Sequence, residues 1–85
     1  MKRFELMPTD RRKSFYNKAI VTEREDGSAV LTSYITDVCM IDSNGNFRRM
    51  WSGESATTMR HVNAFLHLYG LPGGGLAWWR AQPIA

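Results

Sequence analysis

Eighty-five residues, 44% hydrophobic and 22% charged, make one ordinary globular domain, too short for two and too apolar for a disordered chain. Its ten aromatics supply much of a small core, and little structure remains to surround a deep catalytic cleft. The net charge of +3 is concentrated at the start, where Lys2, Arg3, Arg11, Arg12 and Lys13 stand against Glu5 and Asp10.

The single cysteine, Cys39, excludes an intramolecular disulfide and reads as a buried, inert thiol in the run Val38-Cys39-Met40-Ile41. One cysteine and two histidines fall short of a four-ligand zinc site. Met1-Lys2-Arg3-Phe4 leads into no apolar stretch, and no segment reaches the ~20 apolar residues of a membrane span. The expectation is a cytoplasmic protein that does not enter membranes.

In chain order, residues 1–14 read as a flexible basic arm, because Pro8 and the polar run after it do not suit a core strand. Residues 15–24 are rich in aromatic and β-branched side chains and read as a strand, closed by the turn at Asp26-Gly27. The following stretch is long for one strand, and its alternation falters at Thr36-Asp37. A bulge or bend there divides it into strands 29–35 and 37–42. Asn44-Gly45 marks a second tight hairpin, returning as strand 46–51.

The helix 56–69 is the clearest element. Ser55 suits its N-cap, Met59, Val62, Phe65, Leu66 and Tyr69 form its apolar stripe, and Gly70 with Pro72 ends it. Gly73-Gly74-Gly75 reads as a flexible joint, followed by one short helical turn around Trp78-Trp79. The fold class is α+β: a three- to four-stranded antiparallel meander packed on one helix. The domain divides into an arm (1–14), a core (15–72) and an aromatic tail (73–85).

No catalytic constellation emerges. Ser55 is explained as a cap, and no strand–Gly-x-Ser-x-Gly–helix elbow surrounds it. His61 and His67 lie six residues apart, so on a helix they diverge and cannot share a metal ion. The carboxylates Glu23, Glu25 and Asp26 belong to a solvated turn, and the glycine triplet lacks the context of a phosphate loop. No cofactor and no metal are expected.

The candidate partner-binding residues are therefore basic and aromatic: Arg11, Arg12, Lys13, Arg48, Arg49, Arg60, Trp78 and Trp79. Arg48, Arg49 and Arg60 are candidates to converge, and one of the adjacent tryptophans to face a partner. An alternative is DNA binding by the sheet, with Lys18, Thr22, Arg24 and Tyr34 facing the groove and the arm on phosphates. Against it, residues 16–55 hold four basic and six acidic side chains.

The stretch from Tyr16 to Met40, Trp51, and above all Ser55-Ala56-Thr57-Thr58-Met59-Arg60-His61-Val62-Asn63-Ala64-Phe65-Leu66 carry a resemblance. The chain resembles a family of small proteins of unknown function from gut bacteria and their plasmids, phages and conjugative elements. The resemblance implies a mobile-element accessory protein and assigns no site residue. The leading expectation is a non-enzymatic module binding a host protein or nucleoprotein complex, with inhibition of a host defence nuclease as a specific form. A homodimer through the open sheet edge is a further expectation.

Overall fold

The computed structural model describes residues 1–9 and 14–84. Five strands lie in chain order as one antiparallel sheet. They are β1 (Lys2–Glu5), β2 (Ala19–Glu23), β3 (Ala29–Ser33), β4 (Thr36–Ile41) and β5 (Phe47–Arg49), followed by α1 (Ala56–Leu68) and α2 (Leu76–Ala81). The fold class is α+β, with one strand beyond the sequence-based expectation and the short helical turn around Trp78-Trp79 present as α2.

The extra strand comes from the basic arm. Lys2 to Glu5 pair with Glu23 to Ile20, and the Leu6 amide donates to the Ala19 carbonyl at 2.9 Å. Alternation explains the docking: Phe4 faces the core beside Val21, and Leu6 is buried, while Arg3 and Glu5 take the other face. The charged residues masked this pattern in the sequence.

The break in the long apolar stretch is a reversal rather than a bend. Ser33 pairs with Thr36, so Tyr34 and Ile35 form a two-residue hairpin loop between β3 and β4. The bulge is present too, one step further along. The register moves from Leu31↔Cys39 to Thr32↔Asp37, leaving Val38 as the extra residue, turned into the core. Residues 15–18 are likewise a turn rather than strand, closed by the Lys18 amide on the Phe15 carbonyl at 2.9 Å. At the β4–β5 turn Gly45 takes φ 85°, and Asp42 accepts from the Asn44 and Asn46 amides.

Helix α1 lies on one face of the sheet. Ala19, Val21, Leu31, Cys39 and Ile41 from the strands meet Met59, Val62, Phe65 and Leu66 from the helix in one buried cluster. Each large aliphatic or aromatic side chain buried there contributes about 1.5–3 kcal/mol. Ser55 caps the helix, its hydroxyl accepting from the Thr58 amide at 3.0 Å. Cys39 is fully buried, and burial pushes its thiol far above the ordinary range.

The glycine triplet is held rather than free. Asn63 of α1 accepts from the Gly74 amide at 2.8 Å and donates to the Gly74 carbonyl at 2.9 Å. A Cβ on Gly74 would meet the Trp78 side chain at 2.6 Å, so only glycine allows this close approach. The clasp turns the chain back, and α2 packs its Trp79 beside β5 with no exposed surface. Ile84 then bridges Arg49 in parallel, covering the β5 edge. No helix among the described residues is long and apolar enough to cross a membrane.

Candidate binding surface

The structure separates the candidate residues that the sequence offered as converging. Arg49 is interior, only 7% exposed. Its guanidinium donates to the carbonyls of Trp51 (2.9 Å), Ser52 (2.9 Å), Trp79 (3.0 Å) and, at longer range, Gln82 and Gly53. It also lies 4.5 Å from the Trp79 ring centre. Arg49 and Trp79 form one structural knot, and Trp79 adds a bond from its indole N–H to the Gly53 carbonyl at 2.8 Å.

Arg48 points to the opposite side of β5 and pairs with Asp42 at 3.2 Å. Trp78 is half-buried against Phe47, with ring centres 5.2 Å apart. Arg80 completes the tail with a forked pair to Glu54, its closest contact 2.6 Å. Arg11, Arg12 and Lys13 lie outside the described residues.

Of the residues proposed to read DNA, Lys18 and Tyr34 come together and Thr22 and Arg24 do not. The Lys18 ammonium sits 5.6 Å from the centre of the Tyr34 ring, and the Lys18 carbonyl accepts from the Tyr34 amide. Arg24 lies past the other end of β2, about 20 Å away at the rise of an extended strand. Thr22 is on the sheet face away from α1, half-buried.

The meeting point of Lys18 and Tyr34 is the corner where β2 begins, β3 turns into β4 and α1 starts. Ser14, Phe15, Tyr16, Lys18, Tyr34, Thr57, Arg60 and His61 line a depression there of about 180 Å³, with no carboxylate among the described residues of its wall. Two adjacent turns build it. Tyr16 and Asn17 take φ 53° and 62°, and Tyr34 takes φ 58°. These are the only non-glycine residues with positive φ among those described. Asn tolerates this left-handed conformation, but a tyrosine in it costs about 1–2 kcal/mol. The strained backbone turns Tyr16 (72% exposed), Tyr34 (54%) and the neighbouring Ile35 (97%) toward solvent.

His61 forms the floor. It is buried, stacked edge-on to Phe15 at 4.5 Å between ring centres, with Tyr34 at 6.0 Å. Its Nδ1 is 2.8 Å from the buried Ser33 hydroxyl, which lies 3.4 Å from that of Thr58. Burial, with a smaller contribution from Arg60, holds the imidazole below its ordinary pKa and hence neutral at pH 7. The apolar stripe read from the sequence, Met59 to Tyr69, left His61 out, although its spacing from Thr58, Val62 and Phe65 sets it on the buried side of the helix. The Tyr34 turn carried no such signal, because a hairpin loop of this kind ordinarily advertises itself with glycine.

A second depression, of about 190 Å³, is apolar and lies between the end of β1 and α1, lined by Phe4, Leu6, Met7, Ala64 and Leu68 among others. Among the described residues no group of three His, Cys, Asp or Glu side chains converges as a metal site.

Fold and surface together define a small α+β protein with an aromatic and basic corner. Comparison with known families places it further: the family of unknown function DUF8033 matches residues 3–81, and the chain belongs to this family. No curated protein and no solved structure matches it.

Proposed function

We propose that this chain is a non-enzymatic interaction module that binds a host protein or nucleoprotein complex through the Tyr16–Lys18–Tyr34–Ile35 corner. The observation that carries the reading is the strain. Two neighbouring turns hold tyrosines in a conformation that glycine would adopt without penalty, and both tyrosines face solvent. A backbone that only needed to turn has no use for that cost. Aromatic side chains beside cations are the usual anchors of protein and nucleoprotein interfaces. The resemblance of the helix motif to mobile-element proteins supplies the setting, an accessory protein acting on a host target such as a defence nuclease.

The same corner argues against catalysis. The Ser33–His61 pair has the look of a nucleophile and base, but Ser33 is 3% exposed and, among the described residues, the depression's wall carries no carboxylate to orient the imidazole. A DNA-reading sheet has less support, because Lys18 and Tyr34 lie at one end of β2 and Arg24 at the other.

Affinity capture from host lysate tests the reading, with nuclease-treated and untreated samples and a Tyr34→Gly, Lys18→Glu variant beside the native chain. A partner that survives nuclease and is lost from the variant is the expected result. A partner retained equally by the variant rejects the corner. Recovery of DNA alone, lost on nuclease treatment, favours the sheet.

A further inference from the structure

The two edges of the sheet are treated differently. Ile84 covers β5, whereas among the described residues no segment pairs with the outer side of β1. Leu6 turns its amide toward β2, so by alternation Arg3 and Glu5 turn their N–H and C=O groups outward. An exposed row of such groups is a template for another strand. We propose that this edge pairs with β1 of a second copy of the chain, in an antiparallel two-fold dimer that extends the sheet to ten strands.

Charge selects the register. If Arg3 stands opposite its own copy, like charges oppose, and the same holds for Glu5. In the register that sets Phe4 opposite the second Phe4, Arg3 faces Glu5 of the other copy twice. Both residues present outward backbone groups, so the two pairs are the hydrogen-bonded ones and Phe4–Phe4 is the close, non-bonded pair between them. Phe4 lies on the α1 face and also lines the apolar groove. Met7 (54% exposed) and Leu68 (49%) belong to that groove, and the second copy's equivalent surface comes up beside them. The proposal rests on the β1 edge rather than on the corner assigned above, and Glu5 touches both through the Asn17 amide.

Sedimentation or light scattering across a concentration series tests it. The native chain is expected to dimerise reversibly. Arg3→Glu and Glu5→Arg each put like charges opposite one another and should each weaken self-association roughly tenfold. An equimolar mixture of the two variants restores both opposite-charge pairs and should recover the dimer as a heterodimer. Because the Glu5 carboxylate also accepts from the Asn17 amide, Arg3→Pro provides a second probe. It removes an outward N–H and leaves the β1–β2 bonds intact, so a folded monomer is expected. A native chain that stays monomeric throughout overturns the proposal, as does a dimer indifferent to these changes.

Discussion

Arg49 and Trp79 at the tail, and Lys18, Tyr16 and Tyr34 at the corner, are the same kinds of side chain put to opposite uses. Around Arg49 the hydrogen bonds run inward to carbonyls of the β5–α1 loop and the tail, and Trp79 has no exposed surface. At the corner the backbone is bent into the left-handed region and the aromatic rings face out. One region converts cationic and aromatic character into stability, and the other gives up stability to hold it at the surface. Residue type alone does not separate them; where the backbone's polar groups find partners does.

If that division is right, the largest effect of any single change belongs to the tail. Trp79→Ala should lower unfolding free energy by about 3–5 kcal/mol, through lost burial and the cavity left behind. Arg49→Leu leaves buried carbonyls without donors, at about 1–3 kcal/mol for each left unsatisfied. Denaturant midpoints measure both, and early proteolysis within residues 73–84 would show the tail released. A midpoint close to native for either variant would dissolve the distinction.

The next effect sharpens the corner from beneath. His61 has its folded pKa depressed, so the unfolded chain binds the proton first. Its contribution is present above the unfolded value of about 6.5 and is lost as pH falls below it toward the folded value. His61→Asn, which can keep a hydrogen bond to Ser33, should flatten the part of the acid decline nearest pH 6, read from denaturant midpoints against pH.

Tyr34→Gly is expected to move stability the other way, upward by at most about 1 kcal/mol, because relief of the left-handed strain outweighs glycine's added chain entropy. Thermal unfolding beside partner capture gives the decisive pairing of a firmer fold with weaker binding. A destabilised variant would mean that the tyrosine is there for packing. Smallest of all, Arg80→Ala should leave the denaturation midpoint within error, since the Arg80–Glu54 pair is exposed to solvent.

What was legible in the sequence was local. Asp26-Gly27 and Asn44-Gly45 named their turns, and Ser55, the apolar stripe and Gly70 named the helix, because each signal sits within a few residues of its effect. What escaped depended on distant partners. Lys2–Glu5 alternates, but two of its positions are exposed and charged, so only pairing with β2 shows it to be a strand. The glycine triplet reads as a joint until Asn63, 11 residues earlier, is seen to hold Gly74. Trp78 and Trp79 are equivalent on paper, and only the Arg49 knot decides which goes inside. The candidate corner was glimpsed through Lys18 and Tyr34, but its strain was hidden, since no glycine marks either turn.

Cys39 turns the sheet into its own timekeeper. It is the only thiol in the chain, it pairs with Leu31 and Arg49 from β4, one strand in from the β5 edge, and it is completely enclosed. An alkylating reagent reaches it only when β4 comes away from its neighbours or α1 lifts, so the rate of labelling reads the frequency of that opening without any introduced probe. Ligands that grip the corner or the β1 edge should slow the clock in proportion to how far the core shares in their binding.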